Sequence, residues 1–304
     1  MVWGGIIAWY LFLAGLGAGA YLTSALIEQL YPHAHKARKL GRIIAPIAII
    51  IGLLLLMLDA KAGFFHPWRF VLLIDNLEQS VMSWGVVFLA IFTVVALFAV
   101  WAEFKNIKMP AWLNIIGCIF AFCVAAYTGV LLGVVETAPL WNTPVLPVLF
   151  VVSALSAGAA SVFLATAILG REELPLLHKL NMAHLILPVL ELCLIGLLLF
   201  VTFGKGEAGY LNVMRFVSGD LALLFWGGLI IIGLIAPICL ELIASFSAKG
   251  HAETIVHEDG SISVSDGASK LNMFVIVANA CVLIGGFLLR YLVVTGALPM
   301  TLLY

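Results

Sequence analysis

Tyr10, Asp59, Tyr127, His184, Glu191, Asp220 and Arg290 are the side chains of this sequence best able to do chemistry. Each donates or exchanges a proton or carries a charge, and each lies inside or at the rim of a long apolar stretch. A charge at the centre of a hydrocarbon layer costs on the order of 3 kcal/mol on insertion scales, so it needs a partner or a purpose. Glu191 lies near the middle of its stretch, about two turns from His184. It either stays protonated or pairs with Arg290 or His184. A phenol such as Tyr127 donates a hydrogen bond without the cost of a buried charge, and a rim carboxylate such as Asp59 exchanges protons with water. These types suit a quinone, whose two carbonyl oxygens need donors when oxidised and whose reduced form must gain or lose two protons. The same set could line an ion path, and the residue types alone do not choose between the two.

The elements that must position these groups are membrane helices. With 64% hydrophobic and 10% charged residues, the 304-residue chain is an integral membrane protein rather than a soluble globule with one core. Eight apolar stretches are expected to cross the bilayer, at roughly residues 3–29, 41–58, 82–101, 112–134, 144–169, 178–203, 219–246 and 271–296. They are continuously apolar rather than alternating, so helices are predicted and a barrel is excluded. The first has no basic segment before it and no small-residue cleavage site after its core, and it reads as a retained helix.

Lysine and arginine set the orientation. Ten of the 15 fall in loops after odd-numbered spans (Lys36, Arg38, Lys39, Arg42, Lys105, Lys108, Arg171, Lys179, Lys249, Lys270), and five fall on the other side. Both termini are therefore expected outside. In that frame Asp59, Asp220, Arg290, Tyr127 and Tyr10 with Trp9 share one depth in the outer leaflet. The predicted fold is all-α, with two four-helix bundles at about residues 1–135 and 144–304. Residues 247–270 form a mobile polar cytoplasmic loop in this reading. Asp59 to Val81 is aromatic and apolar, with Phe64, Phe65, Trp68 and Phe70; with Val135 to Thr143 it is the expected docking surface for an outer partner. A weak repeat supports two halves: Leu11-Phe12 followed by Gly15 and Gly19, and Leu149-Phe150 followed by Ala154 and Gly158. Small residues four apart let helices approach closely, although such spacing is common in any membrane bundle.

Several groups have ordinary alternatives. Asp59 could simply end a helix beside Lys61, Trp9, Tyr10 and Trp84 could be interfacial belt aromatics, and Arg290 could snorkel to the headgroups. The five cysteines all lie in predicted helices without a CxxC, so neither a disulfide framework nor an iron–sulfur cluster in this chain is expected. Haem is not expected either, because of seven histidines only His184 lies well within a span. No metal-spaced cluster, phosphate-cradling loop or nucleophile triad appears, and no nucleic-acid partner is expected.

The run Tyr127-Thr128-Gly129-Val130-Leu131-Leu132, the following Pro139-Leu140-Trp141-Asn142 and the opening Leu13-Ala14-Gly15-Leu16-Gly17-Ala18-Gly19 resemble the NrfD and polysulfide reductase membrane-subunit family. So do the acid closing the second span, Asp59, and the pair Trp84-Gly85 opening the third. The resemblance implies a multi-pass anchor in the cytoplasmic membrane, within a complex of anaerobic respiration. It would exchange electrons between menaquinone or ubiquinone and an outer ferredoxin-like iron–sulfur subunit, which connects to a molybdopterin catalytic subunit. It also implies that Tyr127 contacts the quinone headgroup with Asp59 beside it, and it puts Tyr10, Trp141 and Asn142 among the candidate quinone contacts. Asp59, Glu191, His184, Asp220 and Arg290 are the candidate proton carriers. The family's asparagine and histidine of the first span are replaced here by Ile7 and Tyr10, and its arginine near the start of the sixth has only His178 and Lys179 nearby. The alternative reading is an ion-translocating or proton-conducting protein without its own quinone site, with Pro46, Pro188 and Pro237 as helix breaks.

Overall fold

A computed structural model describes residues 4–59, 81–251, 255–256, 262–263 and 266–298, with side chains described outside 244–272. Among the described residues, eight helices are long and apolar enough to cross a bilayer: Gly5–Leu30, His35–Asp59, Val81–Phe104, Ala111–Gly133, Val145–Leu169, His178–Phe203, Leu224–Ile243 and Met273–Gly296. They are the first to eighth spans below. The predicted docking stretch after Asp59, including Lys61, Phe64, Phe65, Trp68 and Phe70, falls at 60–80 and lies outside the described residues.

The ends of these helices follow from local chemistry. Pro110 and Pro144 stand immediately before the fourth and fifth spans, where a fixed φ suits helix initiation and a missing N–H removes nothing useful. Gly170 and Gly204 follow the fifth and sixth. The three prolines expected to break helices behave differently. Pro46 sits inside an uninterrupted helix. Pro188 cannot donate to the carbonyl four residues back and its ring crowds that carbonyl, and the sixth span is divided at Leu185 into His178–His184 and Ile186–Phe203. Pro237 follows a π-helical stretch, Leu224–Ile235, at whose end the Ala236 N–H reaches back five residues to Ile231.

The first and fifth spans form the centre. Each has 67% of its apolar window buried, against 28–44% for the other six, so lipid surrounds those six more than these two. Between lipid-embedded helices burial supplies little driving force, and close packing of small residues takes over. The two central helices touch where a side chain on Gly19 would lie 1.9 Å from the Ala154 carbonyl oxygen, and one on Gly158 would lie 2.1 Å from the Gly19 carbonyl carbon. The small-residue repeat seen in the sequence is thus the crossing point itself. The first span also packs on the second, fourth and eighth, and the fifth on the fourth, sixth and eighth.

Two features depart from expectation. The polar loop is shorter than 247–270, because the helix of the seventh span runs to His251 and that of the eighth begins at Asp266, with a two-residue antiparallel pair, Ile255–Val256 and Ile262–Ser263, between them. An amphipathic helix, Gly206–Val217, joins the sixth and seventh spans. Its buried residues Gly209, Asn212, Val213 and Phe216 recur at helical spacing, a pattern legible in the sequence. Asn212 fixes it by accepting a hydrogen bond from the Leu298 N–H at 2.8 Å.

Candidate functional site

The third and fourth spans meet around Tyr127. A side chain on Gly85 would lie 1.8 Å from the tyrosine Cζ and 2.2 Å from its hydroxyl oxygen, so the ring fills the notch that the glycine leaves. Tyr10, on the first span, approaches Tyr127 closely enough for the two phenols to interact electrostatically. Their exposures are 2% for Tyr10 and 6% for Tyr127, yet neither hydroxyl hydrogen-bonds to another described residue. Buried phenols ordinarily find a partner; these two have none among the described residues, which leaves their hydroxyls available as donors.

Space for it adjoins them. A cavity of about 350 Å³ opens between the third and fourth spans, lined by Val81, Trp84, Phe88, Phe122, Cys123, Ala126, Tyr127 and Val130. Trp84 and Phe122 are half exposed on the lipid-facing side, so an amphiphile could enter laterally. Asp59 closes the second span at the same end; its Oδ1 lies 4.0 Å from where a Gly4 side chain would begin, six residues or about 9 Å along the first helix from Tyr10. Tyr10, Tyr127 and Asp59 are therefore gathered at one end of the first four spans.

Trp141 and Asn142 are placed elsewhere. The Trp141 indole donates to the Val293 carbonyl at 2.6 Å, tying the turn between the fourth and fifth spans to the eighth. Asn142 offers its backbone carbonyl to the Lys205 ammonium, which also donates to Pro139 O at 3.0 Å. Neither lines the cavity. Asp220 also stands apart, mostly exposed and paired with Arg215 at 2.7 Å. That guanidinium holds its carboxyl below the usual carboxylate range.

A second polar cluster lies among the first, fifth, sixth and eighth spans. Arg290 is wholly buried and donates to Leu11 O at 3.2 Å, Ser153 Oγ at 2.9 Å and Gly286 O at 2.9 Å, with its guanidinium over the Phe150 ring. Gly15 leaves room for it, since a side chain there would come within 2.7 Å of the guanidinium. The Glu191 carboxyl lies within reach of the Ser153 and Ser156 hydroxyls and of the Arg290 charge. His184 Nε2 sits 3.0 Å from the Ser156 carbonyl oxygen. Its Nδ1, and Asn181 Oδ1 one turn earlier, are buried without a hydrogen-bond partner among the described residues. Of the two partners the sequence offered Glu191, Arg290 lies near enough for the charges to interact, and His184 meets the backbone of Ser156 beside them.

One network was not visible in the sequence. At the end of the first four spans opposite Tyr127, Arg42 donates to Glu103 at 2.8 Å and Glu28 at 2.5 Å, and Arg38 donates to Glu103 at 2.6 Å. Asn114 adds a bond to Glu28, and the Tyr21 hydroxyl one to Asn114. Two arginines and two glutamates from three helices thus neutralise one another.

Comparison with known proteins adds to this geometry. The family profile described as "Polysulphide reductase, NrfD" matches residues 1–257. The protein is 31% identical to a polysulfide reductase polypeptide of Wolinella succinogenes, over 91% of its own length and 94% of that relative's. It is 31% identical to Protein NrfD of Escherichia coli, over 79% of its own length and 84% of that relative's. It is 24% identical to a selenate reductase polypeptide of Mesobacillus selenatarsenatis, over 80% of its own length and 67% of that relative's.

Proposed function

Since the chain belongs to the NrfD family of polysulphide reductase membrane subunits, we propose that it is the quinone-binding anchor of a molybdoenzyme-type complex of the cytoplasmic membrane. It exchanges electrons between menaquinol or ubiquinol and a partner iron–sulfur subunit on the outer face, which passes them to or from a molybdopterin subunit. The observation that carries this reading is the buried Tyr127 phenol at the wall of a lipid-accessible cavity, with the Tyr10 phenol near it and neither hydroxyl bonded to another described residue.

A quinone supplies two-electron chemistry coupled to two protons. This chain's residues hold and protonate. Tyr127 and Tyr10 donate to a carbonyl oxygen, and donors fixed in a low-dielectric setting need no reorganisation as charge develops there. Trp84 and Phe122 offer flat apolar surface for a ring. Asp59, at the rim, passes protons to or from water.

The orientation follows from the lysine-rich end. Placing Lys39, Lys105 and Lys108 inside puts the termini and the phenols toward the outer face, where a partner's metal centre comes nearest. The two-bundle division has supporting marks in the sequence: Trp226-Gly227 opens the seventh span as Trp84-Gly85 opens the third, and Arg290 stands six residues before Gly296 as Tyr127 stands six before Gly133. In this reading one half keeps the phenol and the other carries a buried cation at the corresponding place.

A photoreactive menaquinone analogue added to the membrane-embedded complex is expected to label Trp84, Phe122 or their neighbours, and excess menaquinone is expected to suppress the label. Labelling confined to the fifth to eighth spans would overturn the assignment.

A second reading, proton conduction through the later four spans, is favoured by His184 Nδ1 and Asn181 Oδ1, buried without partners among the described residues on the span that also carries Glu191. Buried polar atoms without protein partners are where water enters. Glu191→Gln is then expected to slow proton movement across vesicles holding the complex by about tenfold or more. Undiminished proton movement, read with an internal pH dye, would exclude Glu191 from such a path.

A further inference from the structure

The arginine network leaves positive charge beside it that no carboxylate among the described residues pairs with. Glu28 and Glu103 are both taken by Arg38 and Arg42, which turn inward. Lys39, Lys105 and Lys108 turn outward at the same end of the second, third and fourth spans, and none of the three forms an ion pair among the described residues. Lys39 is held in that direction by the Phe104 ring, whose centroid is 4.5 Å from its ammonium. Three positive charges thus stand where helices leave the hydrocarbon, among the exposed aromatics Trp101, Phe104 and Trp112. Aromatic rings of that kind sit at headgroup level, and basic groups there attract anionic lipid.

We propose that this rim binds an anionic phospholipid, with its phosphate at Lys39, Lys105 and Lys108 and its acyl tails on the fourth span. The surface continues in the required direction. Trp112, Ile115, Ile119 and Phe122 are each more than half exposed and follow one another at helical spacing, a stripe about 15 Å long. That is the depth of one leaflet, half of a core of about 30 Å. The stripe ends at Phe122, on the wall of the cavity beside Tyr127. A bound lipid therefore has its tail ends at the cavity mouth. Charge decides the class of lipid: three cations without carboxylate partners among the described residues favour a headgroup of net negative charge over a zwitterionic one. Lys36 at the same end already has Glu172 as its partner and adds nothing to this site.

The test is lipid retention by the full-length protein. Protein extracted in mild detergent is exchanged into vesicles of equal parts phosphatidylglycerol and phosphatidylcholine, re-extracted, and weighed with its bound lipid by native mass spectrometry. The wild type is expected to carry phosphatidylglycerol over phosphatidylcholine by about tenfold or more, since each rim lysine adds severalfold. The triple variant K39Q/K105Q/K108Q is expected to approach parity, and K105Q/K108Q, which changes only exposed residues, to fall between. K179Q, an exposed lysine of the later half, is expected to keep the wild-type ratio. A triple variant that retains the preference, or a K179Q that loses as much of it, would overturn the site and leave only general attraction to a basic surface. The quinone assignment stands or falls separately, because neither lipid ratio depends on it.

Discussion

Tyr127→Phe should leave the protein folded and its complex assembled, while quinol-linked electron flow falls by about tenfold or more. The substitution removes one oxygen that has no hydrogen-bond partner among the described residues, so no bond among them is lost. The ring remains in the Gly85 notch. What disappears is a donor to a bound carbonyl oxygen, and leaving a buried acceptor unsatisfied costs about 1–3 kcal/mol, where about 1.4 kcal/mol is a factor of ten. Tyr10→Phe should act in the same direction, and the double variant should lose more than either, since a carbonyl oxygen denied one phenol can still use the other. Steady-state oxidation of a soluble quinol by the whole complex measures this, with the amount of each partner protein checked on the same preparation. Wild-type turnover in the double variant would remove the phenols from the site. Gly85→Val offers a second approach: its side chain would occupy the place of the Tyr127 ring and displace the phenol with its hydroxyl intact. Activity should then fall although every donor is still present.

Much of this architecture could be read from the residues, because crossing a bilayer imposes a length and a composition that ordinary soluble helices do not need. All eight spans appear within a few residues of where apolar runs put them. The level of the candidate site was legible for a related reason: depth follows from position along a helix, so Tyr10, Tyr127 and Asp59 could be assigned to one end of the spans before any packing was known. What depth could not provide was azimuth. Trp141 and Asn142 sit at nearly the same level, but the Trp141 indole faces the eighth span and Lys205 holds Asn142, so both lie away from the cavity. Asp220 has the right depth too, and its exposed pairing with Arg215 separates it from the rest. The arginine network was hidden by the counting that gave orientation, which treats Arg38 and Arg42 as loop charges in water. Arg42 is in fact 3% exposed, turned inward by Glu28 and Glu103 from two other helices. The Gly206–Val217 helix went unseen because a search for bilayer-length apolar runs passes over twelve amphipathic residues.

Gly19→Val is expected to abolish accumulation of folded protein, and Gly158→Val to do the same. At this crossing backbone meets backbone: the missing Gly19 side chain would lie 1.9 Å from Ala154 O and 2.8 Å from its carbonyl carbon, while that of Gly158 would lie 2.1 Å from Gly19 C and 2.3 Å from Ala20 N. No rotamer change relieves such contacts, because the obstacle is the neighbouring helix axis. Separating the first and fifth spans would also disturb the Arg290 bonds to Leu11 O and Ser153 Oγ, one from each central helix. Overpacking in a core that can adjust costs about 1–3 kcal/mol, and here the partner cannot adjust, so the cost should exceed that range. Gly196→Ala provides the comparison, since a side chain there meets nothing within 4 Å. The monodisperse fraction of a fluorescent fusion after detergent extraction reports the outcome. It should fall by about tenfold or more for either valine variant and stay near the wild-type level for Gly196→Ala. If the two valine variants extracted as wild type, the central pair would not cross at these glycines, and the Arg290 cluster built across it would lose its support.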